Sequence, residues 1–188
     1  MSRELRKSCQ RLVADLGLPR PFSLGSLLGR VEERRGRRIH ILPIPSHAIP
    51  SGPCGLWIET RRNDYVFYDG DTTPFHQGCI IFHEFGHMLS AGEESGMGAD
   101  SLDMNLLLPH LDPLLIQRVL GRDGYTGPEE EKAETIARLI IDHSVRAAGA
   151  RPGVMGRLDD VLGARALRAA HAATAGRPGQ SPLSNDRV

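Results

Sequence analysis

The sequence of 188 residues contains little cysteine, few aromatic residues and no long apolar run. Its three cysteines are odd in number and scattered, which excludes a small scaffold held together by disulfides. No apolar run approaches the roughly 18 residues of a membrane-spanning helix. Residues 1–17 are charged throughout and lack the apolar stretch of a signal peptide. From these absences we expect a soluble, cytoplasmic protein without a membrane partner.

Net charge is also lacking, since 23 Lys and Arg residues balance 23 Asp and Glu residues. The charges are nevertheless segregated, because residues 1–38 carry ten basic and four acidic residues, whereas residues 59–134 carry five basic and fifteen acidic ones. The densest basic run, Arg34 to Arg38, lies where a helix is expected to end and a strand to begin. We interpret it as a solvated turn, so no direct binding of nucleic acid is expected.

The apolar residues that are present suffice for one domain, because 40 % of the chain is hydrophobic. Apolar positions at helical spacing predict a helix over residues 3–16 and a second helix from Ser23 to near Gly36. The predicted strands are residues 38–42, 55–60 and 64–68, of which the last two form a hairpin.

The second half of the chain is predicted to be mainly helical. An apolar helix is expected over residues 75–89, and Pro128 is well placed to start a helix over residues 129–143. A helical pattern over residues 105–120 is interrupted by Pro109 and Pro113, so we expect two short helices there. This order of elements is typical of the α+β class, with a small, mainly antiparallel sheet packed on helices.

The predicted elements, together with the composition of the tail, divide the chain into four parts. They are an N-terminal helical arm (residues 1–20), a central domain (21–150), a C-terminal helix (within 151–175) and a tail (176–188). The C-terminal helix is expected over residues 156–175, which are rich in Ala, Arg and Leu. The tail has the composition of a disordered segment.

The motif His83-Glu84-Phe85-Gly86-His87 lies within an apolar predicted helix. Side chains four residues apart lie one above the other on a helix, so His83 and His87 can bind one metal ion. Glu84 points about 100° round the helix, towards a water molecule on that ion and not towards the ion itself. Burying these three groups without a shared partner would be costly. The motif therefore predicts a zinc hydrolase site with Glu84 as general base.

A catalytic zinc ion needs a third protein ligand, and the residues alone leave four sources open. Cys79 lies one turn before His83 on the same helix, which gives poor tetrahedral geometry. Cys54 would give the Cys-His-His set of a deformylase-like enzyme. The remaining sources are acidic: Glu93 and Glu94 shortly after the motif, and the cluster Glu129–Glu134 at the start of a later helix.

The motif, together with Glu130-Glu131-Lys132-Ala133-Glu134-Thr135-Ile136-Ala137, resembles the ImmA/IrrE family of zinc metallopeptidases. In that family a Glu on a downstream helix opens a Glu-x-x-Ala-x-x-x-Ala pattern and binds the metal. This Glu matches Glu130, and both alanines are in register. Glu134 takes the place of the Asp or Asn that orients a ligand histidine. Glu131 stays an alternative ligand, because a shift of one residue changes the alignment little.

The resemblance covers about residues 22–145 and implies a zincin-like fold that binds Zn²⁺ through His83, His87 and Glu130. It further implies a metalloendopeptidase whose catalytic residue is Glu84. The implied substrate is a cytoplasmic transcriptional regulator of the helix-turn-helix repressor type. Two alternatives stay open: a metal-stabilised protein that binds a regulator without cutting it, and a deformylase-like amidohydrolase that uses Cys54.

Overall fold

The computed structural model describes residues 2–20, 22–44, 55–91, 116–120 and 126–147, with the backbone alone for residues 116–120 and 144–147. In chain order the elements are α1 (Arg3–Asp15), α2 (Leu24–Arg35), β1 (Arg38–Ile44), β2 (Gly55–Thr60), β3 (Asn63–Asp69), α3 (Pro74–Ser90), β4 (Ile116–Leu120) and α4 (Gly127–Ala147). The four helices and four strands of these segments confirm the predicted α+β class.

Local sequence sets where the helices begin and end. Ser23 caps α2 as expected, because its hydroxyl accepts a hydrogen bond from the Ser26 amide while the Ser26 hydroxyl accepts one from the Ser23 amide. α2 is closed by Gly36, whose φ of 67° is a conformation that a side chain would strain. Thr73 caps α3, and Pro74 takes the first helical position, where it removes no hydrogen bond.

The four strands form one sheet in the order β1-β3-β2-β4. β2 and β3 are the predicted hairpin and pair antiparallel, with Gly55 opposite Tyr68. β1 lies parallel to β3, and β4 lies antiparallel to β2. Two of the three strand pairings are therefore antiparallel, in agreement with the sheet expected from the sequence.

The helical prediction for residues 105–120 is wrong at Ile116–Leu120, which form β4. A short segment with three apolar residues out of five fits either a helix or a strand, and the local pattern does not contain the contact that decides between them. That contact is the open edge of β2, where Trp57 pairs with Leu120. The pairing gives backbone N–H and C=O groups of both strands their partners. Residues 105–115 lie outside the described residues.

The sheet is buried on both faces. One face packs against the helices in a single core cluster, whose largest fully buried members are Trp57 from β2 with Phe82 and Phe85 from α3. The opposite face carries four side chains that are at most 3 % exposed: Leu56, Ile58, Tyr65 and Phe67. Burial on both faces explains why these strands have nearly continuous apolar sequences instead of alternating ones.

The N-terminal helix α1 shares this core. Its buried residues Cys9 and Val13 belong to the same cluster, and the Cys9 thiol lies 4.0 Å from the carbonyl oxygen of Lys132 in α4. After α1, Arg20 Nε donates a hydrogen bond of 3.4 Å to His143 Nε2, also in α4. The helical arm is therefore packed along α4.

Within the described segments, no helix combines the length and the apolar character needed to cross a membrane. The C-terminal helix expected over residues 156–175 and the tail over residues 176–188 lie outside the described residues.

Candidate metal centre

Helix α3 carries both histidines of the motif on one side. His83 and His87 are one turn apart, and their Nε2 atoms lie 3.0 Å from each other. The rings meet edge to face, with an angle of 78° between their planes. One nitrogen of each ring thus points to the same place, as a spacing of four residues on a helix predicts.

Glu130, in the first turn of α4, completes a cluster that we call the His-His-Glu cluster. Its Oε1 lies 3.2 Å from His83 Nε2, and its Oε2 lies 3.2 Å from His87 Nε2. Donor atoms around a tetrahedral zinc ion are about 3.3 Å apart when the bonds are about 2.0–2.1 Å long. The three side chains therefore have both the spacing and the donor types that suit zinc.

Within the described residues, the other ligand sources considered from the sequence do not join this cluster. Glu131, one residue after Glu130, is not part of it. Neither is Cys79, and burial raises the pKa of its thiol, which disfavours the thiolate that a metal needs. Three further sources lie outside the described residues: Cys54, Glu93 and Glu94.

Glu134, which the resemblance matches to a residue that orients a ligand histidine, has a different contact here. Its carboxylate accepts a hydrogen bond of 2.9 Å from Arg138 in an exposed ion pair on α4. This pair lies between neighbours one helical turn apart and contributes little energy.

The cluster forms because α4 approaches α3 very closely at Gly86. A Cβ atom at this position would collide with the carbonyl oxygen of Ala133 and would lie 2.9 Å from its Cα atom. Ala133 is three residues after Glu130, so this contact sets how far Glu130 reaches towards the histidines. Sequence reasoning assigned Gly86 no role, although a glycine inside an apolar helix is a signal of close packing.

The ring of His87 is kept neutral by its surroundings. It is 2 % exposed, and this burial, together with the neighbouring His83, lowers its pKa to about 3. Glu129 acts in the opposite direction but with a smaller effect. A neutral imidazole offers a nitrogen lone pair, so His87 is ready to bind a metal ion at physiological pH.

Glu84 lies beside the cluster and is 4 % exposed. Burial raises the pKa of its carboxyl well above the ordinary value, and the negative charge of Glu130 raises it further. Its Oε2 atom has no hydrogen-bond partner among the described residues. A buried carboxylate without a partner is costly. Next to three side chains that could hold a metal ion, such a group has the properties of a general base for a water molecule.

Two cations from different elements hold the C-terminal end of α3. Arg35 donates through Nη1 to the Met88 carbonyl oxygen at 3.1 Å, and Lys132 donates through Nζ to the Ser90 carbonyl oxygen at 3.3 Å. Carbonyl groups at this end of a helix have no partner within the helix, and the helix dipole favours cations there. Since His87 lies in this last turn, the two cations fix the part of α3 that carries it.

Arg35 is also the centre of a buried ion cluster. It donates to Asp64 at 2.5 Å and 3.3 Å and to Glu59 at 3.2 Å, and its guanidinium lies over the Trp57 ring at 4.6 Å. Asp64 is completely buried and also accepts a hydrogen bond from Trp57 Nε1. Bidentate pairing of this kind joins α2 to the sheet.

The solvated turn expected from Arg34 to Arg38 is therefore observed only in part. Gly36 does form a turn between α2 and β1, but the side chains of Arg35 and Arg37 are only 13 % and 25 % exposed. Their acidic partners, Glu59 and Asp64, lie opposite each other in the hairpin. Two acidic residues opposite each other in a predicted hairpin are the sequence feature from which buried partners for Arg35 and Arg37 could have been predicted.

Comparisons with protein-family models, with curated proteins and with solved structures found no match for this chain. The chemistry of the site therefore rests on its residues. Counting only the described residues, two imidazole nitrogens and one carboxylate would leave a tetrahedral ion one open position, and the side chains of His83 and Glu130 are 27 % and 36 % exposed. A solvent-accessible site with three protein ligands is typical of catalytic zinc centres, whereas structural centres have four.

Proposed function

We propose that this protein is a zinc-dependent endopeptidase with a zincin-like fold, similar to the ImmA/IrrE metallopeptidases that its motifs resemble. One observation carries the proposal. His83, His87 and Glu130 offer donor atoms 3.0–3.2 Å apart, and Glu84 lies beside them with a carboxylate oxygen that has no hydrogen-bond partner in the described part of the chain. A purely structural metal site does not need this second, buried carboxylate.

Zinc fits this donor set because it accepts nitrogen and oxygen ligands in tetrahedral geometry. When bound, it would polarise a peptide carbonyl and make water more acidic. The chain contributes two imidazoles, of which His87 is held neutral by burial, and the single negative charge of Glu130. The net positive charge that remains favours catalysis by stabilising developing negative charge on the substrate.

Glu84 is the residue that moves the proton. In its ionised form, Oε2 accepts a proton from the water molecule that attacks the peptide carbonyl. Burial and the charge of Glu130 raise the pKa of Glu84, so the protonated carboxyl persists after this step. The carboxyl then gives the proton to the nitrogen that leaves when the peptide bond breaks.

The substrate that we propose is a cytoplasmic transcriptional regulator of the helix-turn-helix repressor type, by analogy with the family that the motifs resemble. The accessible side of the His-His-Glu cluster supports a polypeptide substrate, because a chain segment can approach His83 and Glu130 from solvent. The proposal includes no contact with nucleic acid and no contact with a membrane.

The test compares the wild type with Glu84→Gln after both have been loaded with zinc. We expect about one zinc ion per chain in each, because Glu84 is not a ligand. A proteome-derived peptide library, analysed by mass spectrometry, should be cleaved by the wild type alone. Equal cleavage by both would remove Glu84 from the mechanism. Zinc in both without cleavage by either would favour the metal-stabilised binding protein.

The metal content of two further variants identifies the third ligand. Glu130→Gln should lose most of its zinc, whereas Cys54→Ser should keep it. The opposite pattern would favour the deformylase-like enzyme. A wild-type chain that holds no metal after zinc reloading would overturn the peptidase proposal.

A further inference from the structure

Gly55, the first residue of β2, faces the general base directly. A Cβ atom at this position would lie 2.5 Å from Glu84 Oε1 and 3.2 Å from Glu84 Cδ. The same atom would lie 2.6 Å from Ile80 Cγ2, one turn earlier on α3. Contacts below 3.0 Å are essentially never made by real Cβ atoms. Any other residue at position 55 therefore has to displace Glu84, Ile80 or the strand itself.

Position 55 requires glycine for space and not for backbone conformation. Gly55 is paired with Tyr68 in regular antiparallel register, and the described glycines with positive φ are Gly17 and Gly36. Its backbone is thus one that other residues can adopt. Gly29, within α2, is a useful comparison, because nothing lies within 4 Å of the place where its Cβ would be.

Both neighbours of the missing Cβ are buried side chains of α3. Glu84 is 4 % exposed and Ile80 is 6 % exposed, and a close-packed interior accommodates added atoms only by shifting its neighbours. The position of the Glu84 carboxylate matters because Glu84 directly follows His83 of the His-His-Glu cluster on α3. A shift of this carboxylate changes its position relative to the His-His-Glu cluster.

We propose that Gly55 is a positioning residue for the general base. Having no side chain, it lets the Glu84 carboxylate lie against the start of β2, beside the His-His-Glu cluster. The three atoms nearest to the missing Cβ belong to Glu84 and Ile80 and not to a metal ligand. Replacement of Gly55 should therefore separate catalysis from metal binding. The catalytic part of this inference rests on the proposed function, whereas the contact between Gly55 and Glu84 does not.

The contact is tested first, in the metal-free chain, by thermal unfolding of a double-mutant cycle. Gly55→Ala should lower Tm by about 4 °C or more, because overpacking a core contact is destabilising. In a Glu84→Ala background the same substitution should lower Tm by less than half as much, since the carboxylate is gone. An equal drop in both backgrounds would overturn the proposal. The proposal would also be overturned if Ile80→Ala, but not Glu84→Ala, reduced the loss of Tm that Gly55→Ala causes.

The separation of functions is tested with zinc-loaded and cobalt-loaded protein. Gly55→Ala should keep the zinc content and the visible Co²⁺ absorption spectrum of the wild type, while kcat for the peptide library falls about 100-fold. Gly29→Ala should match the wild type in all three measurements. Loss of metal along with activity would show a general structural role and overturn the proposal. If the wild type cleaves nothing, the peptidase proposal fails, and the Tm cycle still decides the Gly55–Glu84 contact.

Discussion

Among single residues, Glu84 shows most clearly how the proposed function and stability conflict in this protein. Burial and the charge of Glu130 raise its pKa well above the ordinary value of about 4.3. In the metal-free chain, the folded state therefore keeps its proton at pH values where the unfolded state has lost it. Folding takes up a proton in that window, so the free energy of unfolding decreases as pH rises from the ordinary pKa through the raised one.

The substitution Glu84→Gln removes the titrating group. We expect it to raise the free energy of unfolding of the metal-free chain at pH 8 by about 1–2 kcal/mol and to flatten the decrease with pH. Urea unfolding at several pH values measures both effects. The control is Glu134→Gln, which alters an exposed ion pair and should change stability by about 0.5 kcal/mol or less. A less stable Glu84→Gln chain at pH 8 would contradict the raised pKa.

Among the helices, the contact between α3 and α4 decides whether Glu130 meets His83 and His87. Gly86→Ala places a Cβ against the backbone of Ala133, so α4 has to move away and Glu130 with it. We expect zinc affinity to fall at least about tenfold and stability to fall by about 1–3 kcal/mol. Zinc titration and urea unfolding test this, with Gly29→Ala as the control. Wild-type zinc affinity in Gly86→Ala would show that this approach does not set the position of Glu130.

Arg35 connects α2 to the sheet and to α3. Arg35→Met leaves the completely buried Asp64 without its cation and the Met88 carbonyl without its donor. We expect a loss of about 3–5 kcal/mol in the free energy of unfolding, measured by urea unfolding. Arg34→Met, at an exposed position in the same basic run, should change stability by about 0.5 kcal/mol or less. Similar losses in both variants would contradict a special role for Arg35.

Across the whole molecule, the sequence was informative where structure depends on neighbours along the chain. The first three helices, the hairpin and the convergence of His83 with His87 all follow from short spacings. The strand β4 could not be predicted, because the open edge of β2 decides it. The roles of Arg35 and Gly86 likewise depend on partners from distant segments. Glu130 was predicted as the third ligand from the resemblance to a known family, since spacing alone left four possible sources of that ligand.

A metal bound as proposed would link α3 to α4, because its ligands come from these two helices. Both helices belong to one core, so the link would stabilise the whole fold. Zinc at about 100 times its Kd should stabilise the folded chain by about 2.7 kcal/mol. For a chain of this size, that raises Tm by roughly 5–10 °C. Differential scanning calorimetry with zinc or a chelator should show this shift in the wild type and in Glu84→Gln, but not in Glu130→Gln. If a chelator left the Tm of the zinc-loaded wild type unchanged, the ion would not join α3 to α4.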